Sequence, residues 1–309
     1  MMPTSHTALP EFIAAGEALT DMIRVDGDQW ISKVGGSTWN VARVMAGFGI
    51  RSAFAGAVST DCFGQDLVAA SQEAGLDLRF MQQVQKSPLL AMVYSAHPPQ
   101  YFFVGDDAAD LHFNPAQLPE GWQSAVKWVH FGGISLARQP LAATLIALAI
   151  QLKAQGVKIS YDPNFRVLMD EQYDATLKTM TQLADIIKIS DEDLQGLFRS
   201  DDIDGALNTL MSWNPQAHYL YTRGAAGASL IVATERCDHP AIDVIVGDTV
   251  GAGDASMGGL IYSLMQQPQR STAEHLRFAI ASGAAACQHK GANPPSLASV
   301  LALYQQASK

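Results

Sequence analysis

WVHFGGISLARQPLAATLIALAIQLKAQGVKISYD, Trp128 to Asp162, decides the fold class. Trp128 to Gly133 is a short apolar run ending in two glycines and reads as a buried strand. From Gln139 to Gln155, Leu141, Leu145, Leu148 and Leu152 recur at helical spacing. Val157 to Asp162 is a second strand, halted at Pro163, where a ladder donor is lost. Strand, helix and strand of these lengths form a unit whose two strands lie parallel. The pattern continues through Ile186 to Ser190, His218 to Thr222 and Ala228 to Ala233. It closes with helices over Ala252 to Met265, Ala273 to His289 and Leu297 to Gln306. Such alternation predicts an α/β fold, a doubly wound, mostly parallel sheet flanked by helices.

Two segments stand outside this alternation. Thr20 to Lys33 reads as a hairpin turning at Asp26-Gly27-Asp28, and Leu89 to Val104 holds two further β-rich runs split by Pro98-Pro99. Four displaced strands predict a small separate β-sheet, read either as a lid over a pocket or as a peripheral extension. A single domain over residues 1–309 is expected, with the lid segments at about 20–33 and 89–104 inside it.

Bulk properties narrow the function. The 309 residues are 48% hydrophobic and 16% charged, enough apolar surface for one large core. A net charge of −10 argues against non-specific binding to nucleic acid or to an anionic membrane, so an anionic substrate needs a locally positive site. The longest strongly apolar stretch, Leu141 to Leu152, is shorter than the roughly 20 residues a bilayer span requires. Cys62, Cys237 and Cys287 are an odd, scattered set without metal-ligand spacing, which suits a reducing, cytoplasmic setting.

The segment with the most chemical content is GDTVGAGDASMGG, Gly247 to Gly259. It follows the apolar run Ile242 to Val246, read as a strand, and leads into a helix. Glycines at such a junction let the backbone approach a ligand, and the amides of Gly251, Ala252 and Gly253 would face an anion at a helix N-terminus. The spacing of Gly251, Gly253 and Gly258 misses the dinucleotide pattern GxGxxG, and Asp254 puts a carboxylate where a pyrophosphate would lie. A carboxylate there is explained if it takes the proton of a hydroxyl that attacks phosphorus while the amides hold the developing charge. Neither a GxxxxGK[ST] cradle nor an HRD loop occurs in the chain.

DTVGAGD resembles the C-terminal signature of the ribokinase-like (PfkB) carbohydrate kinases, usually DTxGAGD. Further similarities run in the family's order along nearly the whole chain. They are GEALTD (Gly16 to Asp21), GGSTWNVA (Gly35 to Ala42), FAGAVSTDCFG (Phe54 to Gly64), TRGAAG (Thr222 to Gly227) and HKGANPP (His289 to Pro295). HFGGISLA (His130 to Ala137), YDPNFR (Tyr161 to Arg166) and IKISDEDL (Ile187 to Leu194) look most like fructokinases.

The resemblance implies an ATP-dependent kinase that phosphorylates a sugar's primary hydroxyl, most simply converting fructose to fructose 6-phosphate. Another keto-sugar such as 2-keto-3-deoxygluconate, a nucleoside, or a non-catalytic sugar-binding role remain as alternatives. It implies Asp254 as general base and Gly251, Ala252 and Gly253 as the anion hole. Asp21, Gly36 and Asn40 would contact the sugar. Asp162, Asn164 and Arg166 would serve the polyol and the phosphoryl group, with Arg166 as the local cation that an acidic protein needs. Thr222, Gly224 and Gly227 would line the nucleotide, with Ser190 beside it and Gly291 near the adenine. Asp193, or Glu192, would act on Mg²⁺ through water. Asp248 with backbone oxygens near Val250, Ala286, His289 and Gly291 would hold a potassium-like ion.

Some positions depart from the family pattern: Asp193 stands for a glutamate, Ser59 for a glycine, and Gly105 near a slot where fructokinases commonly carry arginine. Trp39, beside Asn40, is read either as a platform for a sugar face or as packing. A homodimer through the lid is a further expectation.

Overall fold

A computed structural model describes residues 8–96 and 99–307. The chain opens with β1 (Phe12–Ala15), then the hairpin β2 (Leu19–Asp26) and β3 (Gln29–Gly35), which runs into α1 (Ser37–Gly47) across Gly36 alone. β4 (Ser52–Ser59), α2 (Cys62–Glu73) and β5 (Met81–Val84) precede a second hairpin, β6 (Leu90–Ala96) and β7 (Pro99–Val104). After the short α3 (Trp122–Ala125) come β8 (Trp128–Gly132), α4 (Leu141–Ala154) and β9 (Lys158–Asp162). Then follow α5 (Asp174–Leu183), β10 (Ile186–Ser190), α6 (Asp191–Phe198), α7 (Ile203–Trp213) and β11 (His218–Thr222). β12 (Ala228–Val232), β13 (Glu235–His239), α8 (Ala252–Gln266), α9 (Thr272–Cys287) and α10 (Leu297–Gln306) complete it.

The large sheet has the order β13-β12-β11-β10-β9-β8-β1-β4-β5. It is parallel from β5 to β11. Its last two strands are antiparallel, because the Gly224–Ala226 turn between β11 and β12 is too short for a crossover.

Alternate side chains of β1 enter opposite cores, as a sheet covered on both faces requires. Ile13 and Ala15 pack with Leu145 of α4, Leu177 of α5 and Leu210 of α7. Phe12 and Ala14 pack with Met45 of α1, Leu260 of α8 and Ala279 of α9. The chain leaves β1 toward β4 on one side and later returns at β8 on the other, so the β1–β8 boundary is a topological switch point. Ligands of doubly wound sheets bind outside the carboxyl ends of strands at such a point.

The four-stranded sheet has the order β3-β2-β6-β7, with β2 parallel to β6 and the other pairs antiparallel. Its first hairpin turns where the Asp-Gly signal predicts, with Gly27 at φ 46°. His97 and Pro98, in the proline break of the second, lie outside the described residues.

One expected strand does not form. Residues 242–246 run without ladder partners from the edge strand β13 toward α8. Pro240 opens the segment without a donor, and no strand lies beside it. Ile242 and Val244 pack against the helices, while Ile245 is 91% exposed. Among the described residues no helix is long and apolar enough to cross a membrane.

Candidate active site

A cavity of about 440 Å³ lies at the switch point, between the carboxyl ends of the large sheet and the inner face of the small one. Its walls carry most of the side chains expected for acceptor and phosphoryl chemistry: Asp21, Asn40, Asp162, Asn164, Arg166 and Asp254. Gly36, Val250, Gly251 and Gly253 complete that group with backbone.

Asp254 sits in the first turn of α8, only 8% exposed. Ser37 Oγ donates to its Oδ1 at 2.7 Å and Asn40 Nδ2 to its Oδ2 at 2.8 Å. Both donors come from the start of α1, which begins at Gly36 with φ 118°. A Cβ at Gly36 would lie 2.7 Å from the Glu17 carbonyl oxygen, so only glycine fits. Burial raises the Asp254 pKa, and the Ser37 and Asn40 hydrogen bonds, with the charges of Lys188 and Arg166, oppose the rise. A buried carboxylate whose ionised form is favoured by two donors suits removal of an alcohol proton.

Gly251 caps α8 at φ 82°, and the amides of Gly251 and Gly253 have no acceptor among the described residues. Ala252, expected beside them in the anion hole, instead donates its amide to the Thr249 carbonyl at 3.2 Å and lies off the cavity wall. The turn that starts the helix consumes that donor, leaving the Gly251 and Gly253 amides of the expected three at the wall.

Arg166 is fixed by its own loop. Its Nη1 donates to the Asn164 carbonyl at 3.0 Å, to Asn164 Oδ1 at 2.7 Å and to the Phe165 carbonyl at 2.7 Å. Asn164 adopts φ 47°, and its amide donates to Asp162 Oδ1 at 3.1 Å. The guanidinium faces the ring of Tyr101 from the small sheet at 5.8 Å. Asp21 reaches the cavity from β2, with its carboxylate against Gly35, where a Cβ would meet it at 2.5 Å. Burial pushes its pKa up to about 6, against the charge of Arg166.

Other expected residues lie away from this cavity. Ser190 and Asp193 form a capping box on α6, with Asp193 Oδ2 accepting from the Ser190 amide at 2.9 Å. Its Oδ1 accepts from the Phe165 amide at 2.8 Å, whereas Glu192 is the acidic side chain that reaches the cavity. The shorter aspartate is thus engaged in shaping the backbone. Thr222 ends β11 beside Ser190 of β10, and Gly224 (φ 51°) and Gly227 (φ 90°) bound the turn that follows. Asp248 joins two loops, accepting from the Val250 amide at 3.1 Å and the Gly291 amide at 2.9 Å. The His289 amide donates to the Ala286 carbonyl at 3.2 Å in the same region. Trp39 is packing, not a platform: it is fully buried and donates its indole N–H to Ser71 Oγ at 2.8 Å.

Three cavity residues escaped the sequence reading. Glu17, 2% exposed, accepts from Ser135 Oγ at 2.6 Å and from the Ser37 amide at 3.2 Å, and burial pushes its pKa up to about 7. Ser37 has no motif role until its contact with Asp254 is seen. Lys188 is a lysine inside the apolar run IIKIS, a charge in a buried strand and therefore the one legible signal of the three.

The chain matches the description "pfkB family carbohydrate kinase" over residues 10–298. It belongs to the pfkB carbohydrate kinase family. Fructokinase of Klebsiella pneumoniae is 30% identical over 287 residues, covering 90% of this chain and 93% of that protein. Fructokinase-1 of Oryza sativa subsp. japonica is 28% identical over 316 residues, covering 96% and 98%. The solved fructokinase of Xylella fastidiosa with bound ATP superposes with TM-score 0.88 at 28% identity, covering 97% of this kinase and 100% of that chain. Aminoimidazole riboside kinase of Salmonella enterica, bound to its riboside and an ATP analog, gives 0.81 at 25%, covering 95% and 99%.

Proposed function

We propose that this kinase transfers the γ-phosphoryl group of ATP to the primary hydroxyl of fructose, giving fructose 6-phosphate, with Asp254 as the general base. The observation that carries the reading is a buried carboxylate, held by Ser37 and Asn40, at the head of α8 beside two free glycine amides. Fructokinases among the relatives, and one neighbour solved with fructose, ADP and potassium, favour fructose as acceptor.

In the proposed reaction the sugar lies between Asp21 and Asn40, its hydroxyl facing Asp254. The hydroxyl oxygen forms a bond to the γ-phosphorus as the bond from phosphorus to the leaving ADP oxygen breaks. The bonding pair leaves with ADP, and the hydroxyl proton passes to Asp254. Gly251 and Gly253 amides and the Arg166 guanidinium carry the charge that spreads over the phosphoryl oxygens. The nucleotide extends toward Thr222, Gly224 and Gly227, with Ser190 flanking it and Gly291 near the adenine.

Mg²⁺ bound to ATP would neutralise the polyphosphate, with Glu192 rather than Asp193 placed to meet its waters. Asp248, with main-chain carbonyls near Val250, Ala286, His289 and Gly291, would supply oxygen donors of the kind that suit a monovalent cation such as potassium; the Asp248 contacts to the Val250 and Gly291 amides, which join the two loops, support this reading. The small sheet would act as a lid that excludes water and limits ATP hydrolysis. A cytoplasmic enzyme, dimeric through that sheet, completes the proposal, and sedimentation would report the dimer.

ADP release measured across fructose, 2-keto-3-deoxygluconate, ribose and a nucleoside tests the acceptor. Fructose should give the highest kcat/KM, and turnover only with another acceptor would overturn the assignment. Asp254→Asn should lower kcat by orders of magnitude with an unchanged circular dichroism spectrum; near-normal turnover would reject Asp254 as base.

A further inference from the structure

Lys188 stands in the middle of β10, on the face toward α8, and is 5% exposed. Its ammonium pairs with Asp162 Oδ2 at 2.9 Å and lies 3.9 Å from Asp193 Oδ2. Burial alone would favour loss of its proton, but Asp162, Asp193 and Asp254 outweigh this and keep it a cation. Stability gives little reason for such a pair, since apolar residues of similar volume commonly replace a buried ion pair at no loss.

Position supplies the reason. Lys188 lines the cavity together with Gly251, Gly253 and Asp254. A Cβ built on Gly253 would lie 3.0 Å from Lys188 Cε and 3.4 Å from Nζ, so the ammonium sits directly under the first turn of α8. A helix N-terminus carries about half a positive charge, borne by its unpaired amides. Full and partial positive charge thus meet at one wall of the cavity, balanced in part by Asp162 and Asp254. A phosphoryl group held in this cavity beside Asp254 would meet both the glycine amides and this ammonium.

We propose that Lys188 is a catalytic cation, whose ammonium contacts the phosphoryl group during its transfer between ADP and the sugar oxygen. Arg166 lines the same cavity, so two cations are available to the group, while Asp162 orients Lys188 in the resting enzyme. The bonds made and broken are those of the transfer described above; Lys188 keeps its proton and stabilises charge only. This inference rests on the kinase reading.

Wild-type enzyme is first assayed for ADP release with fructose and, if that fails, with the other acceptors named above, the one that turns over replacing fructose below; failure with all of them would sink the kinase reading independently of Lys188. Lys188→Met should then lower kcat about 100-fold, the loss expected for one donor to a transition-state oxygen. KM for fructose and the separate affinities for ADP and fructose should stay within about threefold. Aluminium fluoride mimics the phosphoryl group in flight. It should tighten ADP binding strongly in wild-type enzyme with fructose and Mg²⁺ present, and fail to do so in Lys188→Met. Lys188→Arg, which keeps the charge, should recover part of kcat. Near-normal kcat in Lys188→Met, or parallel loss of ADP and fructose binding, overturns the proposal. If Lys188→Met does not fold, the wild-type complex with ADP, aluminium fluoride and fructose decides. A Lys188 Nζ at hydrogen-bonding distance from a fluoride, about 3 Å, supports the assignment; one separated from every fluoride by water or protein refutes it.

Discussion

Replacing Ser37 by alanine removes one of the two donors to Asp254 without touching the Ser37 amide that Glu17 holds. The lost bond is a 2.7 Å O–H to a carboxylate oxygen in a buried site, so solvent cannot readily replace it. Hydrogen bonds to charged groups contribute roughly 1.5–3 kcal/mol. The donor stabilises the ionised form, so its loss raises the Asp254 pKa further. At 1.4 kcal/mol per tenfold, the ratio of ionised to protonated base falls roughly 10- to 100-fold at a given acidic pH. With ATP saturating, kcat/KM for fructose reports the ATP-bound enzyme that meets fructose, so its acid limb should drop by that factor in Ser37→Ala. Above the shifted pKa the two enzymes should converge, because the base is then ionised in both. The assay is coupled ADP release with saturating ATP and fructose below KM, from pH 5 to 9. Two profiles that run parallel, separated by a constant factor, would refute the reasoning, as would an unmoved acid limb.

Glu17 offers a stability counterpart. Its carboxyl is raised from 4.5 to about 7 by burial, so the folded state binds the extra proton and stability falls as pH rises through this window. Glu17→Gln should therefore stabilise by about 3 kcal/mol at pH 8 and by under about 1 kcal/mol at pH 5 in urea melts; an equal effect at both would contradict the burial argument. Asp193→Ala strands the Ser190 and Phe165 amides and should cost about 3 kcal/mol in the same melts. A loss below about 0.5 kcal/mol would show that these bonds are readily replaced by water. Asp248→Ala should abolish activation by potassium while leaving potassium-free turnover within a few-fold; retained activation would remove Asp248 from the cation site.

The parallel sheet was legible because buried strands and leucine-spaced helices alternate over Trp128 to Asp162 and beyond. The reading failed at residues 242–246, where apolar composition suggested a strand but none of the described strands pairs with it. Composition encodes burial, whereas pairing depends on what the rest of the chain leaves beside a segment. In the candidate site, Gly251 was readable because its φ of 82° restricts residue type. Ser37 and Glu17 were not, since hydrogen bonds between residues 217 and 20 positions apart leave no local pattern. Ala252 shows the converse: its place in the motif is right, but its amide is consumed by the Thr249 carbonyl.

The division between the two sheets bears on how this enzyme could be adapted. Asp162 and Lys188 stand on the large sheet, and Asp254 and the Gly251–Gly253 turn on a helix packed against it. Leu19, Ala91, Val93, Tyr101 and Phe103 project from the small sheet alone. Tyr101 also faces Arg166, so a library confined to the other four positions samples new acceptors while the residues proposed to serve phosphorus stay untouched, and preference can be retooled without rebuilding the reaction.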